Sequence, residues 1–338
     1  MRRGGLGRPG RAGERLQPVI WVLDDPRAGT AAQAIGIAER LGQPFRRIPL
    51  AWNWKSRVAA LAPHGSLMGV AAAAGFEAPE HEAPTMVISA GRRSAPVALW
   101  LKARYACRLV HCMSPGLSGL FRREAFDLLV IPAHDRPAAA RNVMPVLGAP
   151  HRVSPLSLYQ AELAWGERLG HLPKPRVGLL AGGSIRAVGM PTELAFALGR
   201  TVAQLAINMG GTVMATTSRR TGQDAADALA DGLGPAMHVL YRWGEPDENP
   251  YMGYLATADV IVVTADSVSM ISEACATTSP VYVALPELAG PRHRALVESL
   301  AQSGQVRPFT HSLAGWPRAP LDESGRVADE IRRRFGMD

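Results

Sequence analysis

Cysteine is scarce in this sequence. Cys107, Cys112 and Cys275 are three in number and show no CxxC spacing, which argues against a disulfide framework and a structural zinc site and points to a reducing compartment. Long apolar runs are missing as well. Residues 58–76 carry no Asp, Glu, Lys or Arg, but they are mostly Ala and Gly with Pro63 and His64 inside, so they do not read as a membrane span. Residues 1–17 set Arg2, Arg3, Arg8, Arg11 and Arg15 against Glu14 among glycines, without an apolar stretch, and read as a disordered basic tail rather than a secretory leader. That tail holds +4 of the formal +8 charge, which leaves the remainder too diffuse for a nucleic-acid partner. No DxD motif is present, and His64, His81, His238 and His293 lack ligand spacing. Metal-independent chemistry without a bound cofactor is therefore expected.

What the chain does have is a repeated alternation of short apolar runs and helical patterns. Its 338 residues are 47% hydrophobic and 20% charged, enough for about two domains with a core each. Strands are expected at 19–23, 48–50, 86–90, 107–113 and 128–131, several bounded by Gly, Pro or Asp instead of hairpin dipeptides. Between the first two, Ala31, Ala34, Ile35, Ala38 and Leu41 fall at helical spacing and stop at Gly42. Residues 145–155 are rich in Pro and read as a junction, followed by a helix to about Gly170. A second series of strands is expected at 177–181, 212–217, 237–241, 260–264 and 281–285, with a long helix over 192–209. The reading is α/β: two Rossmann-like open parallel-sheet domains, 18–155 and 156–338, the latter ending in a C-terminal helix, with an interdomain cleft. Ligands of such sheets bind beyond the carboxyl ends of the strands.

The residues at those strand ends carry the chemistry. Gly182-Gly183-Ser184 follows one buried strand, and glycines there let backbone N–H groups approach an anion. A Gly-Gly-Ser turn is equally an ordinary way to leave a strand. Another buried strand delivers Asp266, Ser267 and Ser269 to a helix start, with Met270 and Glu273 within the next turn. That end suits a diphosphate, and Glu273 suits a ribose diol; serine capping with Glu273 complementing the helix dipole also satisfies the pattern. Arg92-Arg93 and Arg219-Arg220 each follow a strand and are candidates for phosphate contact, with surface solvation as the alternative. His134-Asp135 and the rival Asp24 and Asp25 are candidate general bases, or polar turn residues. Trp52, Trp54, Lys55 and Arg57 suit a headgroup boundary, or a loop before a buried small-residue helix.

The run from Ala258 through Asp266-Ser-Val-Ser-Met-Ile-Ser-Glu-Ala274 to Ala276 resembles the matching segment of the mitochondrial-fission Elm-type family of plants and many proteobacteria. Trp21-Val-Leu-Asp-Asp25 with Gly29 and Gln33, Ile88 to Pro96, Ile131-Pro-Ala-His-Asp135, Asn142 to Pro150 and Thr217-Ser-Arg-Arg-Thr221 agree in order, so the likeness covers residues 18 to about 310. At one remove both halves resemble GT-B glycosyltransferases, especially the peptidoglycan lipid-linked GlcNAc transferase. That resemblance implies a nucleotide-sugar donor in the C-terminal half and an acceptor in the N-terminal half. It places Gly182, Gly183, Ser184 and Ser267–Met270 at the diphosphate, Glu273 at the ribose and Asn249-Pro250-Tyr251 over the base. The turn Asp25-Pro-Arg-Ala-Gly29 is poorer in glycine than its transferase counterpart. The expected function is transfer of sugar from a nucleotide sugar to a cell-envelope or lipid-linked acceptor, in the cytoplasm or peripherally at the inner face of the membrane. Nucleotide-sugar epimerisation and a non-catalytic interaction scaffold are the alternatives.

Overall fold

In the computed structural model, which describes residues 19–59, 64–71, 75–116, 122–183, 190–310 and 312–337, the apolar runs form two sheets. The first contains β1 (Ile20–Asp24), β2 (Phe45–Pro49), β3 (Met86–Ala90), β4 (Arg108–Cys112), β5 (Leu128–Pro132) and β6 (Val143–Val146), in the order β2-β1-β3-β4-β5-β6. All its pairings are parallel. Both faces are covered, as a parallel sheet requires. Ile20 and Val22 point to the face packed by α1 (Ala28–Leu41), while Trp21 and Leu23 point to the opposite core, beneath the later helix over Ala95–Tyr105. The short helix α2 (Ser56–Ala59) precedes that one, which is α3. Gly42 ends α1 with a left-handed φ of 68°, as its position in the sequence suggests.

Two edges differ from the sequence reading. β2 starts at Phe45 rather than 48, because an edge strand tolerates the exposed Arg46 and Arg47 that obscure its pattern. The Pro-rich junction contains β6, in which Pro145 is accommodated because the strand is also an edge.

Helix α4 (Pro155–Gly170) begins with a capping box in which Ser154 and Ser157 satisfy each other's backbone N–H groups. The second sheet then comprises β7 (Arg176–Ala181), β8 (Thr212–Thr217), β9 (His238–Tyr241), β10 (Val260–Thr264), β11 (Val281–Ala284) and β12 (Arg307–Pro308), ordered β12-β11-β10-β7-β8-β9 and parallel throughout. One face carries α5 (Thr192–Met209) and α6 (Gln223–Leu233). The other carries α4, α7 (Tyr251–Thr257), α8 (Val268–Cys275) and α9 (Pro291–Gln302).

The closing helix, α10 (Glu323–Phe335), lies apart from the half that precedes it. Its buried Val327, Ala328 and Ile331 pack on the α1 side of the first sheet, although the sequence reading groups this helix with residues 156–338. The return is held by side chains. Glu323 accepts the Leu147 N–H at 2.7 Å, and the Ser324 hydroxyl both accepts from the His151 N–H (2.8 Å) and donates to the His151 carbonyl (2.6 Å). Ser272 on α8 accepts the Ala149 N–H at 2.9 Å, so residues 147–151 are gripped from both halves. No helix among the described residues is long and apolar enough to cross a membrane. The basic tail, residues 60–63 and Ser184 lie outside the described residues.

Ser324 is buried, so Ser324→Ala leaves two buried backbone groups of His151 without a partner. The expected loss is about 1–3 kcal/mol of unfolding free energy, read by urea denaturation. A parent-like midpoint would remove this latch from the account.

Candidate functional site

In each sheet the chain reverses direction across the strand order at one place: between β1 and β3 in the first, and between β7 and β10 in the second. Such switch points open a crevice at the carboxyl ends of the strands, where open α/β sheets take their ligands.

In the second sheet the crevice holds a carboxylate of the chain itself. Asp266 is fully buried just beyond β10. Its Oδ2 accepts the Gly183 N–H at 2.8 Å and lies 3.1 Å from Arg220 Nη2, while Oδ1 accepts the Thr264 hydroxyl at 2.7 Å. Gly182 donates its N–H to Thr264 Oγ1 at 2.8 Å. Both glycines are required by crowding. A Cβ at Gly182 would stand 2.5 Å from either Asp266 oxygen, and one at Gly183 would overlap the Arg220 carbonyl. The Gly-Gly turn therefore commits both amides that the sequence reading offers to a phosphate, the Gly183 N–H to the internal carboxylate of Asp266 and the Gly182 N–H to the Thr264 hydroxyl. Ser267 caps α8 through the Met270 N–H (3.4 Å), and Ser269 lies against Gly29 at the start of α1, so the first turns of α8 and α1 meet across the cleft. Met270 is partly buried against the core of its own sheet. Arg219 is exposed at the tip of its turn, while Arg220 turns inward to Asp266.

Glu273 has a partner of its own. Tyr251, expected over a base, begins α7 and donates its hydroxyl to Glu273 Oε2 at 2.5 Å. Burial pushes the Glu273 carboxyl up to about 7 against the opposing pull of that hydrogen bond. Burial and the neighbouring Glu273 charge raise the Tyr251 phenol well above its ordinary value. The pair offers a ligand a carboxyl whose proton is easily exchanged near neutrality.

In the first sheet, Asp25 is buried and accepts four hydrogen bonds: the Arg27 N–H (2.9 Å), Arg27 Nε (2.8 Å), Arg27 Nη2 (3.0 Å) and the Trp52 indole N–H (3.0 Å). Burial acts to raise its carboxyl, but the Arg27 contacts and charge, with Trp52, hold it below the usual range. Asp25 thus organises the turn into α1, and the Trp52 indole, in the segment after β2, is turned inward to brace it rather than outward to a headgroup. Asp24 is ion-paired to Arg47 at 2.7 Å. Arg92 and Arg93 occupy the turn between β3 and α3. His134 and Asp135 form a single turn after β5, with His134 Nε2 3.9 Å from Asp135 Oδ1.

The two halves meet here. Arg292, in the first turn of α9, reaches Asp135 at 3.7 Å. His293 beside it feels the charges of Asp266 and Arg220. Burial lowers both histidines from their ordinary value, more than Asp135 raises His134 and more than Asp266 raises His293, so both imidazoles are neutral acceptors or donors at neutral pH. His134 Nδ1 is buried without a partner. Sequence reasoning singled out Arg57 only for a headgroup boundary and set His293 aside for want of ligand spacing, and it assigned no role to Arg27, Arg292 and His293. The signal available for the last two was their position, directly after Gly290-Pro291 at the helix start that follows β11.

Two six-stranded parallel sheets with facing switch points are the two-domain α/β architecture of GT-B glycosyltransferases and related epimerases. The UDP-GlcNAc 2-epimerase from Methanocaldococcus jannaschii is similar over 95% of this chain and 100% of its own, with a TM-score of 0.55 at 12% identity. The glycosyltransferase SnogD from Streptomyces nogalater is similar over 95% of each chain, with a TM-score of 0.50 at 13% identity. At such identities the likeness is one of fold. The family described as Mitochondrial fission ELM1 matches residues 28–335, and the chain belongs to that family. The Mitochondrial fission protein ELM1 of Arabidopsis thaliana is 31% identical over 283 residues, which is 76% of this chain and 65% of the plant protein, so just under two thirds of that relative is spanned. Uncharacterized protein RP120 of Rickettsia prowazekii is 25% identical over 350 residues, 93% of this chain and 97% of its own.

The raised Glu273 carboxyl has a signed effect on stability. Between its ordinary 4.5 and about 7 the folded chain keeps a proton that the unfolded chain has released. Stability from this group is therefore full below pH 4.5 and is lost as the pH rises through 7. Relative to Glu273→Gln, the parent should lose about 3 kcal/mol across this interval in denaturation curves. Parallel pH profiles for the two proteins would refute the assignment.

Proposed function

We propose that this protein binds a nucleoside-diphosphate sugar in the cleft between its sheets and transfers the sugar to a hydroxyl acceptor held against the first sheet. The observation that carries the reading is the meeting of His134 and Asp135 with Arg292, His293, Arg220 and Asp266 across that cleft. His134, neutral and with a buried, unpartnered Nδ1, is the general base for the acceptor hydroxyl. The acceptor oxygen bonds to the anomeric carbon as the bond to the diphosphate breaks, the electron pair leaving with the diphosphate. Arg220, released from Asp266, and the N-terminal turn of α8 receive the developing charge. Glu273 and Tyr251 hold the ribose and the edge of the base. The UDP-GlcNAc 2-epimerase from Neisseria meningitidis bound to UDP-GlcNAc, similar over 95% of this chain with a TM-score of 0.51 at 12% identity, supports trying uridine nucleotides first.

The acceptor side suits a membrane surface. Trp54 is 78% exposed with Lys55 Nζ 5.6 Å from its ring centre, and Val58 and Met68 are exposed nearby in sequence. Aromatic and apolar tips beside cations favour reversible docking on anionic lipid.

Titration calorimetry and thermal unfolding with UDP-, GDP- and ADP-linked sugars test the nucleotide. A ligand at 100-fold its Kd should stabilise the chain by about 2.7 kcal/mol. With the acceptor in hand, His134→Gln should lower transfer by about 10²–10⁴-fold while donor affinity is kept. A flat melting temperature across the whole panel would favour the scaffold instead. For docking, Trp54→Ala should reduce co-sedimentation with anionic vesicles at low salt; equal recovery of both proteins in the supernatant with neutral and anionic vesicles excludes it.

A further inference from the structure

A cavity of about 350 Å³ lies at the switch point of the first sheet, and its lining includes Arg27, Arg57, Arg92, Arg93, Arg292 and Asp135. Five guanidinium groups thus face one carboxylate. Arg27 is held by Asp25 and Arg292 approaches Asp135, whereas Arg57, Arg92 and Arg93 make no ion pair among the described residues. The backbone adds to this positive field. Helices α1 and α3 both begin at the cavity, and neither has a side-chain cap. Ser94, at the cap position of α3, turns its hydroxyl to the carbonyls of Ala90 (2.6 Å) and Gly91 (2.8 Å), which leaves the helix N–H groups open.

The cavity is also shaped from behind. Gly91 has a φ of +87°, and a Cβ there would stand 2.9 Å from Thr30 Cγ2. Gly116 has a φ of +70°, and a Cβ there would meet the Arg92 stem at 3.0 Å. Two left-handed glycines thus let the arginine turn close over the end of α1. So many like charges in one cavity repel each other unless a multiply charged anion enters, and planar guanidinium groups match phosphoryl oxygens bidentately.

We propose that this cavity is a diphosphate-binding site on the acceptor side of the cleft, separate from the Asp266–Glu273 region and standing whether or not sugar transfer occurs. Three guanidinium groups without carboxylate partners exceed what one orthophosphate neutralises, while a diphosphate, larger and more highly charged, spans both helix ends. Arg57 lies three residues from the exposed Trp54, so a diphosphate carried on a lipid headgroup and a soluble one share this chemistry.

Calorimetry with inorganic pyrophosphate on the full chain tests the site. Pyrophosphate should bind at least about tenfold more tightly than orthophosphate, and more weakly as salt is raised. The double variant Arg92→Gln/Arg93→Gln should weaken binding by about 30-fold or more, and Arg57→Gln, on a separate exposed segment, by about three- to tenfold. Should the double variant fail to fold, the Arg57 variant still decides the matter. Absence of pyrophosphate binding by the parent, or parent-like affinity in a folded variant, overturns the site. Nucleotide-sugar titrations of the parent are read separately, so failure of the transfer reading is not confused with failure here. Phosphatidylcholine vesicles carrying farnesyl diphosphate identify the source: sedimentation that pyrophosphate reverses assigns a lipid-borne diphosphate. Pyrophosphate binding without sedimentation assigns a soluble one.

Discussion

A single buried carboxylate ties the second half of the cleft together. Asp266 closes the switch point between β7 and β10 by taking the Gly183 amide, the Thr264 hydroxyl and the Arg220 guanidinium at once. Burying such a charge is costly unless it is paired and hydrogen-bonded, and the contacts here come from the carboxyl ends of three strands, β7, β8 and β10. The β7 turn must be Gly-Gly to come so close, and the β8 turn must bend inward to present Arg220. Thr221 fastens that bend by donating its hydroxyl toward the Ala181 and Gly182 carbonyls. The start of α8 follows directly after Asp266, and His293 in the first turn of α9 lies within reach of its charge.

The first sheet answers with the opposite sign. Asp25 is its internal anion, yet it is saturated by Arg27 and Trp52, and the cavity beside it sets five arginines against the single carboxylate of Asp135. The cleft is therefore asymmetric. One wall carries a neutralised acid–arginine cluster with protonatable Glu273 and Tyr251, and the other carries a surplus of guanidinium groups. Two neutral histidines stand between them.

Much of this architecture was legible in the residues. Buried parallel strands such as Met86–Ala90 and Val260–Thr264 are continuous apolar runs, and their carboxyl ends carry the polar residues that line the crevices. What the sequence hid has physical causes. β2 and β6 are edges, where arginine or proline interrupts the pattern without harm. Gly182, Gly183 and Glu273 were visible as residues of a site, but not that Thr264, Asp266 and Tyr251 already satisfy them, because those partners lie some 20 to 80 positions away. His293 carried no spacing signal, since its neighbours across the cleft come from the other half of the chain. The arginine cavity draws on Arg27, Arg57, Arg92, Arg93 and Arg292, and only the adjacent pair stands out in a linear reading.

The return of α10 to the first sheet bears on how the chain is made. Ile20, Val22, Ala34, Ile37 and Val110 share their core with Val327, Ala328 and Ile331, which are translated after every strand of both sheets. As synthesis proceeds from the N-terminus, the first sheet can assemble its strands and α1 early but keeps the part of that face beside α1 uncovered until the whole second sheet has emerged. Maturation of the first half is thus coupled to completion of the second, and a truncated chain exposes that seam to chaperones and proteases.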